Sequence, residues 1–91
     1  MKVQNMTSDR TGREVANQFI IFTPEATYFQ SYKSIIVKTT FEDGERVTYL
    51  DSTYWDYSVT TGKYRNQFLG ENKKETQRKI DAGIYKLADL N

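Results

Sequence analysis

The chain has 91 residues, enough for one domain with a modest core and too few for two. Its 13 lysines and arginines against 12 acidic residues leave a formal net charge of +1, so no long-range field marks it for DNA or an anionic membrane. With no cysteine and no histidine, disulfides, thiolate chemistry and the usual soft metal ligands are excluded, and any catalysis would fall to carboxylates, lysine, tyrosine or hydroxyls.

Residues 1–14 are polar and turn-rich around Thr7-Ser8-Asp9 and Thr11-Gly12, and sustain neither a period of two nor a helical one. They are expected to form a flexible N-terminal arm ahead of a single domain over 15–91. No apolar leader and no window of membrane-span length occurs, so a soluble, cytoplasmic protein is expected. Asn17 to Thr23, NQFIIFT, is apolar on both alternating sets, as in a central strand covered on both faces. Pro24-Glu25-Ala26 interrupts it, and Thr27 to Tyr32 resumes strand composition, which predicts a hairpin.

Asp43-Gly44 suits the positive φ values of a two-residue type I′ turn between Ser34–Phe41 and Arg46–Asp51. That turn sets Phe41 opposite Arg46, Thr39 opposite Thr48 and Val37 opposite Leu50. Ile35, Val37, Phe41 and Leu50 are then expected on the core face. Ile36, Lys38, Thr40, Val47 and Tyr49 fall on the other face, free to pack on a helix or to meet a ligand.

Beyond Asp51 the spacing turns helical. Thr61, Tyr64, Phe68 and Leu69 share one side of a helix over Thr60 to Leu69, with Gly70 suited to close it. Asn72-Lys73-Lys74-Glu75 has capping-box spacing and opens a second helix through Thr76 and Ile80. Ile80, Ile84, Leu87 and Ala88 keep helical spacing across Gly83, but glycine is costly inside a helix and apt at its end. The preferred reading stops the helix there and returns Ile84 to Leu90 as a short strand. The fold class expected is α+β, an antiparallel sheet of about four strands followed by two short helices and a possible C-terminal strand.

The segment Trp55 to Gly70, WDYSVTTGKYRNQFLG, carries the candidate ligand-binding residues Trp55, Tyr57, Ser58, Thr60, Thr61, Lys63 and Arg65. Trp55 and Tyr57 can stack on bases or anchor a partner, while Tyr64 and Phe68 read as core. The hydroxyls of Ser58, Thr60 and Thr61 can cap a helix whose free N–H groups, with Lys63 and Arg65, suit an anion. Thr61-Gly62-Lys63 is not a nucleotide-binding loop, because its first glycine is missing and Tyr64 stands where a magnesium-binding hydroxyl belongs. Lys73, Lys74, Arg78 and Lys79 make the second helix basic, blunted by Glu71 and Glu75. Asp51 and Asp56 bracket the strand-to-helix link, where Asp56 is expected to hold the turn through backbone N–H groups; no nucleophile with an adjacent base appears.

The spacing of Trp55-Asp56-Tyr57-Ser58, Thr60-Thr61, Lys63-Tyr64 and Phe68-Leu69-Gly70 resembles a group of small, mostly uncharacterised bacteriophage proteins. Phe29-Gln30-Ser31-Tyr32 and Asp89-Leu90-Asn91 extend the resemblance from Asn17 onward. It implies phage origin and, by association, a nucleic-acid binder or an inhibitor of a host or defence complex. The expectation is therefore a non-enzymatic binding protein without cofactor or metal. Its partner would be nucleic acid or another phosphate-bearing ligand, or alternatively a host protein inhibited in the manner of an anti-CRISPR.

Overall fold

The computed structural model describes all 91 residues. The elements are β1 (Lys2–Thr7), β2 (Glu14–Phe22), β3 (Ala26–Ser31), β4 (Ser34–Glu42), β5 (Glu45–Asp51), α1 (Val59–Leu69), α2 (Lys73–Asp81) and β6 (Tyr85–Ala88). The strands form one six-stranded sheet in sequence order, antiparallel throughout except for the parallel β5–β6 pair. The fold is α+β with more strands than expected, because Lys2–Thr7 is not a loose arm. It pairs with β2, setting Val3 opposite Ile21 and Asn5 opposite Phe19. Only Met6 of β1 is buried, so the strand is held mainly by its ladder and left no apolar period to read.

The β4–β5 hairpin forms in the expected register, with φ of 54° at Asp43 and 80° at Gly44 as a type I′ turn requires. Val37 and Leu50 are fully buried. Two expectations fail. Phe41 is 70% exposed, at the rim of an open cleft whose other wall includes Phe68, Leu69 and Ile84, so the helices do not close over it. Ile36 belongs to the core, because the β3–β4 pairing steps from Phe29–Val37 to Gln30–Ile35, which leaves Ile36 as the extra residue of a bulge. Ile35 consequently shares a face with Gln30.

Both helices lie on the same side of the sheet. Phe68 of α1 stacks on Phe29 of β3 with ring centroids 5.8 Å apart, and the Thr61 and Ser31 hydroxyls meet at 2.9 Å. Tyr64 completes a core with Met6, Phe29, Ile36, Val37 and Leu50, and α2 packs toward β6. The opposite face of the sheet carries no helix. β2 is therefore covered on one face only, and Phe19 and Ile21 are half-buried on the other.

Local rules set the helix ends. Ser58 accepts from the Thr61 N–H, and Gly70 closes α1 at φ 72°. Asn72 accepts from the Glu75 N–H, but Glu75 turns to Arg78 instead of reaching back, so only half of the capping box forms. Gly83, at φ 76°, ends the helical stretch and releases the chain into β6 as the preferred reading had it. Glu71 locks this region, accepting from Thr76 Oγ1, Lys79 Nζ at 2.7 Å and Tyr85 Oη at 2.8 Å.

Asp51, not Asp56, holds the turn after β5. Its buried carboxylate accepts from the N–H groups of Thr53 (3.1 Å), Tyr54 (2.8 Å) and, from beyond β6, Leu90 (2.8 Å). Burial alone would raise its pKa, but these donors, joined by the Asn91 amide, hold it below the usual carboxylate value. The Asn91 side chain also bonds both the N–H and the C=O of Ile35, at 2.7 and 2.9 Å. A folded pKa below the unfolded one gives stability that is present above about pH 4 and lost as pH falls toward the folded value. Asp51→Asn is therefore expected to lower stability at pH 7 by about 2 kcal/mol in urea unfolding, with the gap from the parent chain narrowing below about pH 4.

Candidate functional site

The linker from Ser52 to Ser58 carries the chain off the end of β5, and α1 then runs back across the sheet. Where α1 starts, the linker, the first two turns of α1, the start of α2 and the β1–β2 loop enclose an open cleft of about 810 Å3. Its walls include Asp56, Ser58, Val59, Lys63, Arg65 and Lys73. Three of the seven expected residues, Ser58, Lys63 and Arg65, thus meet in one place.

Their roles differ. Ser58 caps α1, and the first turn contains no acidic residue. Helix geometry leaves the Val59 and Thr60 N–H groups without acceptors inside the helix. Lys63 is exposed, its ammonium 5.4 Å from the Tyr64 ring centroid. Arg65 is 1% exposed and works as an internal tie. Nη1 donates to the Trp55 carbonyl at 2.6 Å and faces Asp56 at 3.5 Å, while Nη2 donates to Asn66 Oδ1 at 2.9 Å. The guanidinium also lies 5.3 Å from the Trp55 ring centroid. Burial pulls its pKa below the usual guanidinium value, against the opposing pull of Asp56.

The other four stand apart from the cleft or turn inward. Thr61 is fully buried, its hydroxyl meeting Ser31 at 2.9 Å and Ser58 at 3.1 Å, and so pins α1 to β3. Trp55 is half-buried and packs against the core. Tyr57 is 67% exposed, edge-on to Tyr54 at 5.4 Å. Thr60 is exposed, with no side-chain partner.

Asp56 and Lys73 complete the cleft, joined at 2.7 Å. The hydrogen bond from Lys73 is the chief reason the Asp56 carboxyl lies below its ordinary value, with Arg65 adding to it. Sequence spacing had shown Lys73 only as part of a basic helix; the turn at Gly70 is what brings it beside α1. Of the other cations there, Arg78 is paired with Glu75 and Lys79 with Glu71, which leaves Lys74 unpaired. Asp51 and Asp56 do not form a working acid–base pair, because Asp51 is sealed in and saturated by N–H donors. No group of three or more acidic side chains is gathered as for a metal ion, and no helix is long and apolar enough to cross a membrane.

The whole is a small α+β domain, a sheet covered on one side by two helices, with a polar cleft at the first helix start. The chain belongs to a family of unknown function, DUF8033, whose model matches residues 1–83. No curated protein and no solved structure matches it.

The geometry separates a structural cation from an available one. Arg65→Ala is expected to cost about 2–3 kcal/mol of stability in thermal or urea unfolding. Lysine should restore little of it, because a point charge cannot bridge Trp55, Asp56 and Asn66 together. Lys63→Ala should stay within about 0.5 kcal/mol of the parent chain.

Proposed function

We propose that this chain is a small non-enzymatic binding protein whose cleft at the start of α1 takes a phosphate-bearing ligand, either a nucleotide or the phosphorylated end of a nucleic acid strand. The observation that supports the reading is the meeting, in one open cleft that Asp9 and Asp56 also line, of a first helical turn without acidic residues, the Ser58 cap and the Lys63 and Lys73 ammonium groups. An anion there would meet the helix dipole and free N–H groups, and would compete with Asp56 for Lys73. Arg65 serves from behind, holding Asp56 and the Trp55 carbonyl so that the linker keeps its shape. The resemblance to bacteriophage proteins adds a phage origin and a place in the host cytoplasm to the proposal.

A protein partner is the second reading, with inhibition of a host or defence complex as its outcome. Tyr57 and Val59, 67% and 91% exposed beside the cap, favour it as anchors.

Trp55, the single tryptophan, reports on the site because it lies against Arg65. Its emission should change on titration with inorganic phosphate and with a 5′-phosphorylated oligonucleotide, and much less with the unphosphorylated strand. Lys63→Ala combined with Lys73→Ala should weaken the phosphorylated ligand by about tenfold while the melting temperature holds. Emission indifferent to every phosphate would overturn the proposal. A stoichiometric protein recovered from host lysate after nuclease treatment would move the assignment to the second reading.

A further inference from the structure

The sheet face without a helix has a composition of its own. One register row crosses all six strands, placing Val3, Ile21, Tyr28, Lys38, Tyr49 and Lys86 side by side. On the row beside it, Phe19 and Ile35 flank Gln30. At a spacing of about 4.8 Å per strand, the row spans about 24 Å, and Tyr28 and Tyr49 stand about 10 Å apart.

The row divides by chemistry. Val3, Ile21 and Tyr28 make its apolar half. In the other half, the Lys38 and Lys86 ammonium groups lie 5.9 and 6.0 Å from the Tyr49 ring centroid, one from each neighbouring strand. Neither lysine is in an ion pair. Glu42, at the end of the same face and opposite Glu45, accepts from the Tyr49 hydroxyl at 2.5 Å and fixes the ring, and it forms a direct ion pair with neither lysine.

We propose that this face is a binding track for single-stranded nucleic acid, with bases against Tyr28 and Tyr49 and phosphates against Lys38 and Lys86. Rings presented on a sheet accept any base, because every base has a π face, and unpaired ammonium groups beside those rings are the complement of a phosphate chain. An apolar protein surface would strand both ammonium groups without counter-charges. A second copy of the chain, packed face to face about a two-fold axis, would bring Lys38 from the middle of one row toward Lys38 of the other. The track shares no residue with the cleft at α1, so either site can exist without the other.

The test uses fluorescence anisotropy of a labelled oligothymidylate of about twelve nucleotides, without a 5′-phosphate, at several salt concentrations. The parent chain should bind, more weakly as salt rises. Lys38→Ala with Lys86→Ala should weaken binding by about tenfold and flatten the log–log salt slope by about 1.4, the share of two phosphate contacts on a single strand. Tyr49→Leu should weaken it by about tenfold as well, with circular dichroism showing an intact fold. Lys63→Ala with Lys73→Ala should leave this affinity unchanged. No binding at low salt, or parent-like binding by the double lysine variant, overturns the proposal, and so does a stable dimer that Ile21→Glu makes monomeric. If the phosphorylated ligand is lost only on changing Lys63 and Lys73 while the sheet variants bind like the parent, the cleft reading stands and the track falls; the reverse pattern does the opposite.

Discussion

The carboxylate of Asp51 ties together parts of the chain that lie far apart in sequence. Thr53 and Tyr54 donate to it from the linker that starts the helical excursion, and Leu90 donates from the segment that follows the return strand. A parallel strand needs a long crossover, and here the crossover is the linker with both helices. Asp51 fastens its departure and its return at one buried point. The position of α1 on the sheet, and so the cleft at its start, depends on this junction, because the linker from Ser52 to Ser58 leaves the sheet directly from it. Arg65 performs a related service one layer out, binding the carbonyl of Trp55 and the side chain of Asp56 from within the helix.

What could be read in the sequence followed how local each cause is. The type I′ turn at Asp43-Gly44 requires two residues, and with it came the register of the whole hairpin. Ser58, Gly70, Asn72 and Gly83 mark helix ends through bonds or backbone angles within a few residues, so both helices and the closing strand were legible. The bulge at Ile36 was not, because it arises from how β4 meets β3, and it exchanges the faces of Ile35 and Ile36. The first strand was hidden for another reason: KVQNMT buries one side chain and depends on backbone pairing that no apolar period announces. Of the candidate site, the cap, Lys63 and the inward side of Thr61, which shares its helical spacing with Tyr64 and Phe68, were readable, whereas the burial of Arg65 was not. An arginine on a polar helix looks solvated until the carbonyl of the neighbouring linker is in place to receive it.

The apolar pattern of Asn17 to Thr23 carries a more specific lesson. Alternating sets that are both apolar suggested a strand covered on two sides, and the fold covers one. The uncovered set joins Tyr28, Tyr49 and two lysines, so the extra hydrophobicity of β2 belongs to a surface and not to a second core layer. The molecule thus presents two faces of unlike character: a polar cleft on the helix side and an aromatic, cationic sheet on the other.

Because each strand neighbours the next in sequence, nearly all the pairings of the sheet close short loops and ask little of chain entropy. The exception is β6, which reaches β5 only after both helices have been traversed. Assembly should therefore begin with the antiparallel meander and finish with the docking of β6. Opening events in the folded state should run in reverse, the parallel strand and its helices detaching as a unit while the meander persists.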